Sequence, residues 1–249
     1  MNAPLPTIVV VLVEPRTPGN IGMVARAMAN FGATELRLVN PCDYLAEAAR
    51  RLAVDAVGHL ESARVFPDLA AALGDCERSV AASRRSGKRR GAAIDVSQVA
   101  RLCLQGPKLQ RLALVFGRED AGLTSGEVAC CTHTAAIATP GFLGSLNLAQ
   151  AVLIFLYELS RSGISGGSTG EVPTHDDFAP LFAQLARVLD RIAFLNPHRP
   201  EHVLTPLRRM LARGIATRHE LELMRGIWSR LEESINDWRG RRRGDEKPG

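Results

Sequence analysis

Two polar side chains straddle a leucine at the head of a long apolar stretch: Ser145 and Asn147 in LGSLNLAQAVL (143–153), directly behind the slack run Pro140-Gly141-Phe142-Leu143-Gly144. A serine in that place can accept a hydrogen bond from one of the first-turn N–H groups that a helix leaves unsatisfied. Asparagine is a poor helix former unless its amide finds a partner. Capping therefore accounts for Ser145 and leaves Asn147 to be explained. A second chemical feature is charge. RRSGKRR (84–90) puts Arg84, Arg85, Lys88, Arg89 and Arg90 into one loop, and RGRRR (239–243) ends the folded part. Basic runs are commonly solvated surface, yet Arg and Lys are also what neutralises the phosphates of a polyanion. SGKRR is not a phosphate-binding P-loop, because Ala82 stands where its first glycine is needed and no Ser or Thr follows the lysine.

The elements that must position these residues follow from the apolar pattern. TIVVVLV (7–13), ELRLVN (35–40), RSVAAS (78–83), RLALVFG (111–117) and TAAIA (134–138) are short and mostly not alternating, as in strands covered on both faces. Helical stretches separate them, at 20–31, 45–54, 69–73, 96–104 and 146–161. This alternation predicts an α/β fold with a parallel sheet flanked by helices. In such sheets ligands bind beyond the carboxyl ends of the strands. Four conspicuous loops lie there: EPRTPGNIG (14–22), SRRSGKRRG (83–91), GREDAGLTSGE (117–127) and TPGFLGSLN (139–147).

At 249 residues and a net charge of +5, the chain suits one methodically buried α/β domain, expected over 1–163, plus an appendage. A Gly/Ser-rich linker is expected over 164–175 and a small helical domain with a basic tail over 176–249. In the latter, TRHE (217–220) reads as a capping box. Leu221, Met224, Trp228, Leu231, Ile235 and Trp238 form an apolar stripe read as core or dimer seam. The longest apolar run, 148–159, is too short for a bilayer, and no basic segment precedes the first apolar run, so neither a membrane span nor a secretory signal is expected. Cys42, Cys76, Cys103, Cys130 and Cys131 are odd in number and lack C-x-x-C spacing. A reducing cytoplasmic setting and no metal are the expectation.

Taken together, NIGMVARAM (20–28), FGREDAGL (116–123) and SLNLA (145–149) resemble, in order and spacing, the three motifs of the SPOUT class of RNA methyltransferases, in its TrmH-like 2′-O-ribose branch. Over nearly its full length, including VLTPLRRMLARGIATRHELELMRGI (203–227), the chain is most similar to the TrmJ-type tRNA methyltransferases. The resemblance implies a C-terminal trefoil knot through which 137–161 passes, an exception to the rule that chains do not thread loops. It implies S-adenosyl-L-methionine as methyl donor, held by Ala82, Ser83, Arg84, Gly117, Ile137, Gly144, Ser145 and Leu146. Arg84 stands where TrmJ-type proteins can have a small residue, so its side chain must turn out of the pocket. It further implies a homodimer with the active site at the subunit interface, and tRNA as substrate, at nucleotide 32 of the anticodon loop, cytidine or uridine.

By the same resemblance Arg26 is catalytic, Asn20 and Glu119 hold the constellation, and Ser145 and Asn147 place the substrate. The reaction is an in-line displacement by a ribose 2′-hydroxyl, which requires alignment and loss of a proton and no metal. Arg26 can act as base, or as a group that binds phosphate and stabilises the developing alkoxide. Asn20 could instead cap the helix running to Phe31, and Glu119 could pair with Arg118 or cap a helix after Ser125. A catalytically idle RNA-binding relative would lose the set Asn20, Arg26, Glu119, Ser145 and Asn147, and this chain has all of them. A ribosomal RNA methyltransferase of the same branch is the other alternative. An unrelated nucleotide-binding α/β enzyme is disfavoured, since GNIG lacks the G-x-G-x-x-G spacing.

The basic run generates a first prediction, with Arg84, Arg85, Lys88, Arg89 and Arg90 as RNA contacts. Phosphate contacts position and do not specify. Lys88→Ala/Arg89→Ala is therefore expected to weaken binding to all RNAs alike, and to flatten the plot of log affinity against log salt by roughly one unit per lost contact. A salt titration of tRNA binding checks this, and identical slopes for variant and wild type would reduce the run to solvated surface.

Overall fold

The computed structural model describes residues 6–83, 93–104, 109–139, 146–161 and 171–237. The predicted RNA contacts at 84–90, the donor positions Arg84, Gly144 and Ser145, the tail run 239–243 and Trp238 lie outside them. Seven strands form one sheet: β1 (Thr7–Val13), β2 (Glu35–Val39), β3 (Arg64–Phe66), β4 (Arg78–Ala82), β5 (Ile94–Asp95), β6 (Arg111–Phe116) and β7 (His133–Ala136). Their order is β3-β2-β1-β6-β4-β7-β5, and every pairing is parallel. Helices α1 (Pro18–Phe31), α2 (Glu47–Ala53), α3 (Val57–Glu61), α4 (Leu69–Leu73), α5 (Val99–Leu104), α6 (Ser125–Cys130) and α7 (Leu148–Arg161) cover it.

The apolar strands are buried on both faces, as a non-alternating pattern requires. One face of the sheet, with Val10, Leu12, Leu112, Leu114 and Phe116, packs under α1, α2 and α7. The opposite face, with Val9, Val11, Ala113 and Val115, packs under α4 and α6. The ring of Phe116 meets that of Phe155 edge-on, with centroids 5.2 Å apart. Consequently the chain leaving β1 turns to one face and the chain leaving β6 turns to the other. Adjacent strands whose connections diverge in this way open a crevice at their carboxyl ends.

Two short strands and two helix boundaries stand apart from the sequence expectation. β3 is an edge strand whose Arg64 and Val65 are exposed, and β5 has only Ile94 and Asp95; neither is long enough to leave a pattern. The helix expected from Leu146 begins at Leu148, because Asn147 caps it: the Ala149 N–H donates to Asn147 Oδ1 at 2.9 Å. The stretch 45–54 is helical only from Glu47 to Ala53, then tightens into a 3₁₀ turn.

The C-terminal helices α8 (His175–Arg191), α9 (Glu201–Gly214) and α10 (Arg218–Asp237) pack around Phe178, Leu181, Leu185, Leu189, Leu204 and Ile215. The capping box holds, with the Thr217 N–H donating to Glu220 Oε2 and the Glu220 N–H to Thr217 Oγ1. Of the stripe, Leu221, Met224 and Trp228 face this core, whereas Leu231 is exposed. These helices dock at the amino ends of β4 and β7. The His175 N–H donates to Cys76 O, Arg78 Nη1 to Ala212 O, Arg209 Nη2 to Thr134 Oγ1 and Arg213 Nε to Thr132 O.

Two histidines sit in this seam. Burial, with Arg213, Arg78 and Arg209 nearby, pushes His133 down to about 4. Burial and Arg78 do the same to His175, whose Nε2 is 2.9 Å from Ser79 Oγ. Both imidazoles are neutral in the folded chain and take up protons near pH ~6.5 when unfolded. The unfolded state therefore binds more protons between pH ~6.5 and about 4. Stability is expected to be full above that window and to fall steadily as pH drops through it. Urea midpoints measured between pH ~7 and ~5, above most carboxylate titration, check this, and a flat profile would contradict it.

Candidate active site

The crevice between β1 and β6 is closed by one carboxylate. Glu119, on the loop after β6, accepts the Arg16 N–H at Oε2 and the Thr17 N–H at Oε1, both at 3.0 Å. Its Oε1 also accepts from Asn20 Nδ2 at 2.9 Å. Helix α1 begins with Pro18 and its N-cap residue, Thr17, makes no side-chain cap. Glu119 thus supplies from another strand the anionic partner that a helix N-terminus favours. Burial pushes its carboxyl up, but the bonds from Asn20, Arg16 and Thr17 outweigh this and hold it below the ordinary carboxylate range.

Asn20 is buried in the first turn of α1 and is not its cap. Its Oδ1 accepts from Asn147 Nδ2 at 2.9 Å, while Asn147 Oδ1 caps α7. Asn147 therefore serves both as helix cap and as hydrogen-bond partner. One chain of bonds, Asn147 to Asn20 to Glu119, joins the starts of α7 and α1 to the loop after β6. The other fates weighed for Glu119 fall to different residues: Arg118 pairs with Glu14 and Glu127, and Glu127 forms the capping box of α6 with Thr124.

A cavity of about 290 Å³ opens beside this network, near the lower end of the ~300–1,000 Å³ usual for small-molecule sites. The run Phe116 to Leu123 forms one wall, and Ala82, Ser83, Ala135, Ala136, Ile137, Thr139, Leu146, Leu148, Ala151 and Phe155 complete it. All the positions expected to hold the donor that fall within the described residues (Ala82, Ser83, Gly117, Ile137 and Leu146) line it. Arg26 does not. It is exposed on α1, and it makes no hydrogen bond or ion pair among the described residues. Among those residues no group of three or more His, Cys, Asp or Glu is placed to hold a metal ion.

Backbone geometry fixes the wall. A Cβ on Gly117 would stand 2.3 Å from the carbonyl carbon of Gly122, and Gly122 itself has φ +67°, a conformation that favours glycine. The close approach lets Arg118 and Gly122 pair as a bridge, with the Gly122 N–H on Arg118 O at 2.8 Å. Arg118 anchors the turn through Glu14 and Glu127, and no local pattern reveals this, because Glu14 lies 104 positions earlier in the chain. Gly117→Ala forces the turn apart and is expected to destabilise the fold by about 2 kcal/mol or more. Urea unfolding measures this, and an unchanged midpoint would contradict it.

Known proteins place this geometry in a family. Residues 7–157 match the SpoU rRNA Methylase family, and 176–240 match the C-terminal domain of the tRNA methyltransferase TrmJ. The tRNA (cytidine/uridine/adenosine-2′-O-)-methyltransferase TrmJ of Pseudomonas aeruginosa is 35% identical over 244 residues, which span 92% of this chain and 95% of that one. The tRNA (cytidine/uridine-2′-O-)-methyltransferase TrmJ of Cronobacter sakazakii is 33% identical over 242 residues, 94% of this chain and 99% of that one. The crystal structure of TrmJ from Z. mobilis ZM4 matches with a TM-score of 0.77 at 30% identity, over 92% of this chain and all of that one. The chain belongs to the SpoU methylase family, in its TrmJ branch.

Proposed function

We propose that this chain methylates the 2′-hydroxyl of a ribose in tRNA with S-adenosyl-L-methionine as donor, at nucleotide 32 of the anticodon loop, cytidine or uridine, in the cytoplasm. The observation that carries the reading is that Glu119 belongs at once to the cavity wall and to the start of α1, the helix that bears Arg26. The relatives whose names give the reaction support the substrate class. When bound, the donor supplies an electrophilic methyl on a sulfonium. The cavity suits it: Phe116, Ile137, Leu148 and Phe155 offer apolar surface, and Glu119 offers negative charge to a cationic ligand.

Within this reading Ala82, Ser83, Gly117, Ile137 and Leu146 hold the donor, with Arg84, Gly144 and Ser145 completing the site. Asn20 and Glu119 fix the start of α1, and Asn147 and Ser145 place the ribose. A guanidinium keeps its proton at neutral pH, so Arg26 acts by binding phosphate and stabilising the alkoxide that develops as the hydroxyl proton passes to water. Arg26 stands away from the cavity of its own chain, which supports a homodimer whose site is completed across two subunits. The insertion of β6 between β1 and β4 and of β7 between β4 and β5 supports a trefoil knot threaded by 137–161. The division into a catalytic domain (1–163), a linker (164–175) and a helical RNA-binding, dimer-supporting domain (176–249) belongs to the same proposal.

Mapping of 2′-O-methylated nucleotides in RNA from cells lacking the protein tests the reading. Loss of the methyl at tRNA nucleotide 32 is expected. Loss confined to ribosomal RNA, or no loss at all, would replace it with the ribosomal RNA enzyme or the idle binder. Arg26→Ala is expected to lower methyl transfer by at least ~100-fold, the scale of a removed oxyanion donor, while donor affinity by calorimetry stays near wild type. Near-normal turnover would remove Arg26 from the mechanism.

A further inference from the structure

Arg16 and Asp120 face each other across the crevice that Glu119 closes. The backbone of Arg16 is fixed, since its N–H donates to Glu119 Oε2 at 3.0 Å. Its side chain reaches over to the neighbouring loop, where Nη1 pairs with Asp120 Oδ2. The two side chains are 59% and 58% exposed, and exposed ion pairs contribute little to stability. Stability therefore does not account for this pair. Its location does: Asp120 lines the cavity, so a guanidinium bound to its carboxylate stands on the cavity rim. Any ribose whose hydroxyl enters the cavity brings its flanking phosphates to that rim.

We propose that Arg16 is a substrate-phosphate contact held in waiting by Asp120. When RNA docks, the guanidinium leaves the carboxylate for a phosphate beside the target ribose. A phosphate offers Arg the same bidentate acceptor geometry as a carboxylate, and Asp120 keeps the arginine aimed at the rim until then. Waiting on Asp120 also makes RNA binding an exchange of one anion for another, which lowers affinity for polyanions that cannot deliver a phosphate to this point. The inference rests on the RNA-methylating reading of the site and adds to it a residue that grips the substrate.

The test is a double-mutant cycle on tRNA affinity, with Arg16→Ala, Asp120→Asn and the pair, plus donor affinity by calorimetry for each. Arg16→Ala is expected to weaken tRNA binding about tenfold and to reduce the slope of log affinity against log salt by about 0.7–0.9, one phosphate contact. Donor affinity stays within about twofold. Asp120→Asn is expected to tighten tRNA binding several-fold when Arg16 is present and to give no gain in the Arg16→Ala background. Unchanged affinity and slope in Arg16→Ala would overturn the contact. An equal gain from Asp120→Asn in both backgrounds would overturn the exchange. Wild-type protein that fails to methylate tRNA would instead strike at the underlying function, so the two failures are distinguishable.

Discussion

A single carboxylate organises the carboxyl edge of this sheet. Glu119 accepts hydrogen bonds from Arg16, Thr17 and Asn20, residues about a hundred positions earlier, and through Asn20 it is linked to Asn147. Helix α1 starts at a proline with no side-chain cap of its own, so its N-terminus depends on an acceptor brought by β6. That acceptor is also part of the cavity wall. The shape of the cavity and the placement of α1 are thus set by the same atoms. Movement of the loop after β6 must be felt at the start of α1 and, through Asn20, at the cap of α7.

Keeping Glu119 in place is the task of its neighbour. Arg118 is nearly buried between Glu14 and Glu127, with side-chain exposure of 12%. Charged hydrogen bonds of this kind are stronger than neutral ones, and deleting Glu127, whose side chain is 17% exposed, is costly because it strands the largely buried Arg118 charge. Glu14 adopts φ 47° at the end of β1, an uncommon backbone for a residue with a side chain. In that position it directs its carboxylate to Arg118. The adjacent residues Arg118 and Glu119 thereby fasten one tight turn in two directions, toward α6 and toward α1, across the point where the connections of β1 and β6 part.

Much of this was legible in the sequence, and the limits were physical. The Val, Ile and Leu runs marked β1, β2, β4 and β6 because strands buried on both faces leave a local signature. β3 and β5 left none, being short and at the sheet edges. The strand order, with β6 between β1 and β4, is a matter of pairing between distant segments and no local pattern carries it. Ala82, Ser83, Gly117, Ile137 and Leu146, which the family resemblance implies as donor positions, are gathered in the cavity. What each polar residue does was less legible. The sequence assigns capping to Ser145 and leaves Asn147 open, yet Asn147 caps α7. Glu119 was given local alternatives, Arg118 and the helix after Ser125, whereas its partners lie on α1 and the loop before it. Capping roles are decided by which loop arrives, and that is known only once the sheet is assembled.

Glu119, Asn20 and Asn147 act as one unit beside the cavity in which the donor is proposed to bind. The direct measurement is S-adenosyl-L-methionine affinity by calorimetry for Glu119→Gln, Asn147→Ala and the double variant. Residues coupled through a shared partner give non-additive effects, whereas independent sites add to within about 0.5 kcal/mol. Each single change is expected to weaken donor binding, and the double variant to bind little worse than the weaker of the two singles. Losses that simply add would show that the two ends of the chain of bonds are independent, and would contradict it.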